Sequence, residues 1–81
     1  MKVAIQYGHV GQIRITLPSS ETDVIGYDWT RRPTYVLDNE TRVARYLGEC
    51  YMDSAHYLEL QDLKPWQQAM VTQLCILNET N

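Results

Sequence analysis

Over residues 2 to 17 apolar and polar side chains alternate. Val3, Ile5 and Tyr7 are separated by Ala4 and Gln6 after Lys2, and Ile13, Ile15 and Leu17 are separated by Arg14 and Thr16 after Gln12. A period of two belongs to strands that turn one face toward a core, so the stretch predicts a β-hairpin whose turn is supplied by Gly8 to Gly11. Pro18 closes the second strand, and the polar Ser19 to Asp23 run reads as a surface connection. Two further short strands are predicted over 24–30 and 34–38, with Ile25, Tyr27 and Trp29 on one face and a tight tip at Arg31-Arg32-Pro33 between them.

From Asn39 the period lengthens to that of a helix, because Val43, Tyr46, Leu47, Cys50, Ser54, Tyr57 and Leu58 fall on one stripe. Gly48 weakens this helix and Ser54 interrupts its apolar face, which places a break near Asp53-Ser54; the alternative is that residues 56–61 return as a strand. A second helix is predicted from about Leu63, with Pro65 in its first turn, where a missing N–H costs nothing. It carries Trp66, Ala69, Met70, Leu74 and Leu77 inward and ends near Asn78. The expected fold class is α+β: a three- to four-stranded antiparallel sheet in the N-terminal half packed by two C-terminal helices, in the order ββββαα. Within it the tripeptide Asn-Glu-Thr occurs twice. Asn39 is expected to cap the start of the first helix and Asn78 to end the second.

A chain of 81 residues is expected to be a single domain, spanning 1–81, too small to enclose a deep cleft between lobes. Its apolar fraction of 44% and charged fraction of 21% are ordinary for a globular protein, and no segment reaches the length of a membrane span. The N-terminal run lacks the pattern of a secretory signal, so a cytoplasmic location is expected, or the host cytoplasm if the chain is viral; both glycan-type Asn-x-Thr matches then become chance hits. Cys50 and Cys75 have no neighbouring Cys or paired His and are expected to be reduced and buried. The net charge of −3 argues against general binding to nucleic acid or anionic membranes.

The motifs with chemical potential are weak. The Gly8-His9-Val10-Gly11 turn lacks the further glycines, the Lys and the helix of a phosphate loop. Glu49, Asp53 and His56 have a helical spacing that could offer three ligands to a divalent metal, but exposed helix faces commonly carry such a set. No Ser or Cys is placed with a base and an orienting group, and the acids are scattered over surface-type positions. The expectation is a protein that is not an enzyme, with no cofactor and no metal.

Charge and large side chains are unevenly distributed. Arg31, Arg32, Arg42 and Arg45 are four of the seven basic residues and lie within fifteen positions, whereas residues 46–63 hold Glu49, Asp53, Glu59 and Asp62 with no base. Tyr27, Trp29 and Tyr35 accompany the first arginine pair, a mixture that dominates protein–protein hot spots. The candidate protein-binding residues are therefore Tyr27, Trp29, Arg31, Arg32, Tyr35, Arg42 and Arg45, with Glu49, Asp53, Glu59 and Asp62 as an alternative acidic surface. In size, acidic balance and absence of a catalytic constellation the chain resembles small phage-encoded inhibitors of host machinery, such as anti-CRISPR proteins and inhibitors of host RNA polymerase. That likeness is of general character and is carried by no motif. It implies a monomer or small homo-oligomer that occludes a larger host protein or nucleoprotein complex, without a membrane. The alternative is a small RNA- or DNA-binding module using an Arg/Tyr surface.

Overall fold

The structure is a computed structural model that describes residues 2–8, 11–17, 31–50 and 56–79. Among these residues five strands, β1 (Lys2–Tyr7), β2 (Gln12–Thr16), β3 (Arg32–Asp38), β4 (Ala44–Cys50) and β5 (His56–Glu59), precede a 3-10 turn, Leu60–Asp62, and one helix, α1 (Pro65–Glu79). The strands form one sheet in the order β4-β3-β2-β1-β5, antiparallel throughout. The fold is α+β, with five strands and one C-terminal helix among the described residues.

The alternation at the N-terminus does what its period requires. Ile5 lies opposite Ile15, Ile15 opposite Tyr35, and Ile13 opposite Leu37, so one face of the sheet is a continuous apolar surface. The helix covers that face: Val71 and Leu74 pack with Val3, Ile5, Ile15 and Leu37, while Trp66, Met70 and Cys75 border the cluster. On the reverse face Ala4, Thr16 and Thr34 form a buried row across three strands. Thr34 Oγ1 donates to the Arg32 carbonyl at 3.1 Å, which uses its only proton, so Thr16 is the donor in the 3.1 Å contact between the two hydroxyls. A buried polar pair is thereby satisfied without water.

The helix predicted from Asn39 does not form. Residues 44–50 are strand β4 and residues 56–59 are strand β5, the alternative reading of the second stretch. The cause is a bulge. Thr34 lies opposite Gly48 while Tyr35 lies opposite Tyr46, so Leu47 is an extra residue without a cross-strand partner. One inserted residue converts the spacing of an alternating strand into intervals of three and four, which imitate a helix. Gly48, at φ 127°, takes the backbone through a region that side chains rarely enter. The predicted strand over 24–30 and the break at Asp53-Ser54 lie outside the described residues.

The second predicted helix is present, with Pro65 as its first residue, but it is rotated from the expected face. Gln67, Val71 and Leu74 are its buried positions; Ala69 and Leu77 are exposed and Trp66 and Met70 half-buried. Gln67 belongs inside because it closes the helix start. Its Oε1 accepts the Lys64 N–H at 3.1 Å, half of a capping box, and its Nε2 donates to Asn39 Oδ1 at 2.8 Å. Asn39 is therefore not a helix cap but a loop residue that anchors one. At the other end Asn78 lies within the last turn, where its Nδ2 donates to the Leu74 carbonyl at 2.8 Å and to Tyr35 Oη at 3.2 Å. The two Asn-Glu-Thr copies thus tie opposite ends of α1 to the sheet.

Candidate protein-binding surface

The β3–β4 hairpin carries most of the basic and aromatic candidates, and its loop is built around Asp38. Asp38 Oδ1 accepts the N–H groups of Glu40 at 2.8 Å and Thr41 at 3.1 Å, the Arg42 N–H reaches the Asp38 carbonyl at 2.8 Å, and the Asp38 N–H reaches Val43 O at 3.1 Å. The backbone N–H groups of Thr41 and Glu40, then the Gln12 amide, hold the carboxyl below its ordinary value of 3.8. Arg42 closes the loop in the left-handed region at φ 55° and is exposed. A further bond from the Asn39 N–H to Gly11 O at 2.7 Å joins this loop to the β1–β2 turn.

Beyond the loop, β4 is an edge strand: it pairs with β3, and no described strand pairs with its other side. Val43, Tyr46 and Leu47 are 56%, 53% and 40% exposed, and Arg42 and Arg45, their neighbours in sequence, are exposed too, Arg45 on the opposite face of the sheet from Tyr46. Tyr46 is held in place while remaining accessible. Its ring lies against Tyr35 with centroids 5.3 Å apart and planes inclined by 60°, and its Oη donates to Glu49 Oε1 at 3.3 Å. Partial loss of water, followed by the Glu49 carboxylate, pushes the hydroxyl above its ordinary 10.0.

The four arginines of the sequence cluster do not stand together. Arg42 lies at one end of the hairpin and Arg31 and Arg32 at the other, a strand length of roughly 20 Å away, with Arg45 between them. Arg31 is exposed, but Arg32 is half-buried and its Nε donates to the Leu17 carbonyl at 3.1 Å, a structural task. Tyr35 is buried, with the Tyr46 ring against it. Tyr27 and Trp29 lie outside the described residues. The acidic set is divided as well: Glu49 sits on β4, whereas Glu59 and Asp62 lie on and just after β5 at the opposite edge of the sheet, and Asp53 lies outside the described residues. The same separation parts Glu49 from His56, and among the described residues no three His, Cys, Asp or Glu side chains are grouped to hold a metal.

Val43, Tyr46 and Leu47 were missed as surface residues because their spacing assigned them to a helix core. Arg14 was also passed over; it lies in register with Gln6, Val36 and, beyond that, Arg45, and its Nε is buried without a hydrogen-bond partner. Its alternation with Ile13 and Ile15 marked it only as the polar half of a strand.

The described residues line a cleft between helix and sheet at each end of α1. The one at the C-terminal end of α1, about 310 Å³, is lined by Leu17, Arg32, Glu49, Cys75 and Asn78 among others. Cys75 is held above its ordinary 9.0 by burial and by the Glu79 carboxylate, partly offset by Arg32, so it is a protonated thiol at neutral pH and a poor nucleophile. The cleft at the N-terminal end, about 440 Å³, is lined by Tyr7, Asn39, Leu58, Lys64 and Gln67 with their neighbours. Among the described residues neither cleft is lined by a histidine. Among those residues no helix is long and apolar enough to cross a membrane. No family model matches the chain, and neither a curated protein nor a solved structure shows significant similarity to it.

Proposed function

We propose that this chain is a binding protein, an inhibitor or regulator that acts by occupying a surface of a larger macromolecule, and that its working surface is the outer edge of β4 with the loop before it. The observation that carries the reading is the exposed run Arg42, Val43, Arg45, Tyr46 and Leu47 along a strand edge that no described strand pairs. Large apolar side chains beside arginines are the composition of interface hot spots, and an open edge offers backbone N–H and C=O groups to an added strand. Arginine pairs with carboxylates through two parallel hydrogen bonds, so the partner segment is an extended, acidic one. In its most specific form the reading is that of a phage-encoded inhibitor of host machinery, of the anti-CRISPR or RNA-polymerase-inhibitor kind; chain size and acidic balance support it.

The alternative of a nucleic-acid module draws on the same strip, since the accessible Tyr46 ring could stack on a base with Arg42 and Arg45 on phosphates. The net charge of −3 weighs against it.

The test compares the immobilised parent with Arg42→Ala/Arg45→Ala, Leu47→Glu and an exposed control, Gln61→Ala, in lysate of the cells where the chain is made. The reading expects one retained protein that is lost from both strip variants and kept by the control. With that protein purified, the double arginine variant should bind at least about tenfold more weakly while melting like the parent, because exposed charges add little to stability. Retention that survives both changes but fails on Glu49→Lys moves the working surface to the acidic residues. A shift of RNA or DNA in a gel that weakens steeply with salt favours the alternative.

A further inference from the structure

Helix α1 is apolar on more than the face it buries. Val71 and Leu74 point into the core, yet Ile76 and Leu77 are each 58% exposed, and Pro65, Ala69, Thr72 and Gln73 are exposed along the same outer side. Across its fifteen residues the helix has one charged side chain, Glu79. A surface helix of a monomer ordinarily carries charge on its solvent side, and charge depletion around apolar side chains is what distinguishes the centre of an interface. The Thr72 hydroxyl adds little desolvation cost, since it already donates to the Gln68 carbonyl at 2.8 Å.

The charges at the two ends say what covers this side. Lys64 precedes the helix start, with no acid in the first turn, and Glu79 occupies the last turn, with no base there. Each charge is thus at the wrong end of its own helix dipole: a cation beside the positive N-terminus, an anion beside the negative C-terminus. Both placements become favourable beside a second helix running the opposite way. We infer that α1 packs antiparallel against α1 of a second copy of this chain, about a two-fold axis between Thr72 and Gln73, which brings the Lys64 end of each helix alongside the Glu79 end of the other. That axis sets Ile76 over Ala69 of the second copy, and the reverse, so a large side chain meets a small one at both points. The contact is isologous, as a two-fold requires, and the opposed helix dipoles attract. It uses none of the β4 residues and does not rest on the reading of that strip; a dimer presents two copies of it.

A single helix pair is a small interface, so association is expected at micromolar concentration or weaker. Sedimentation equilibrium of the full chain, up to about 200 µM, should show a monomer–dimer equilibrium. Ile76→Glu should abolish it without loss of melting temperature in the monomer, since the side chain is solvent-facing. The charge variants separate this arrangement from any other. Lys64→Glu and Glu79→Lys each correct the dipole of their own helix, yet each turns two attractive contacts into repulsive ones and should weaken the dimer about tenfold. The double variant Lys64→Glu/Glu79→Lys restores opposite charges and should return to within about threefold of the parent. A parent that stays monomeric throughout that range overturns the inference. So does a dimer that ignores Ile76→Glu, or one in which the double variant is weakened as much as the sum of the two single changes.

Discussion

Replacing Gln67 by Ala tests whether a buried polar side chain, rather than the apolar stripe, sets how α1 sits on the sheet. The side chain is 4% exposed and makes two hydrogen bonds, one within the helix start to the Lys64 N–H at 3.1 Å and one across the fold to Asn39 Oδ1 at 2.8 Å. Each bond contributes about 0.5 to 1.5 kcal/mol net, and the vacated volume adds a packing loss. Lys64 is exposed and Asn39 half-buried, so water reaches the orphaned groups and limits the penalty. The expected cost is about 2 to 3 kcal/mol, a large share of the roughly 4 to 12 kcal/mol typical of a chain this long. At about 4 to 8 °C per kcal/mol, the melting temperature followed by circular dichroism should fall by about 10 to 20 °C. Gln61→Ala, the same chemical change at an exposed position, should stay within about 0.5 kcal/mol of the parent. A double-mutant cycle with Asn39→Ala should show a coupling near 1 kcal/mol. If Gln67→Ala melts within about 3 °C of the parent and the cycle shows no coupling, the helix is held by apolar contacts alone and the reasoning fails.

Three other outcomes follow from the geometry. Gly48→Ala places a side chain at φ 127° and should cost about 1 to 2 kcal/mol in urea unfolding, whereas Gly8→Ala, where the added carbon meets only Gln12 atoms at 3.9 and 4.0 Å, should be nearly neutral. Because the Asp38 carboxyl sits below 3.8 in the folded state, the stability it supplies is complete above that value and is lost as pH falls through the folded-state pKa; Asp38→Asn keeps an acceptor without the titration, so the stability gap between parent and variant should narrow in melts taken from about pH 6 to about pH 3. Cys50 and Cys75 are free, so reducing agent should leave the melting curve unchanged, and the half-buried Cys75, with its raised thiol pKa, should alkylate more slowly at neutral pH than a free thiol in solution.

What was legible in the chain were the elements whose periodicity had no interruption. The β1–β2 hairpin shows its alternation and its turn, and α1 announces its start through Pro65. β4 was not legible, because the extra residue at Leu47 replaces the strand period with intervals that a helix also produces, and because an edge strand bears exposed apolar residues that pattern reading assigns to a core. The rotation of α1 was hidden for a related reason. With apolar residues on several sides, the helix has no single stripe; Leu74 is buried as expected, but Val71 rather than Trp66, Met70 and Leu77 joins it, and Gln67, one of whose two partners, Asn39, is 28 residues away, is buried on the same side. The loop at residues 38–42 carried a true signal, an Asp and an Asn ahead of a polar run, but Asx chemistry serves turns and helix starts alike. For the binding surface, composition pointed to arginines and aromatics, and Arg42 and Arg45 do lie on the exposed strip. Val43, Tyr46 and Leu47 required the strand pairing to be seen there.

Amide hydrogen exchange of the chain, alone and in complex with the protein retained in the capture experiment, locates the partner on the sheet. An added strand on β4 must slow exchange there. The account predicts that amides within residues 44–50 become at least about tenfold better protected in the complex, while those of β5, at the other edge of the sheet, keep their rates. Protection that appears at residues 56–59 with β4 unchanged would contradict it, and would place the working surface on the opposite edge.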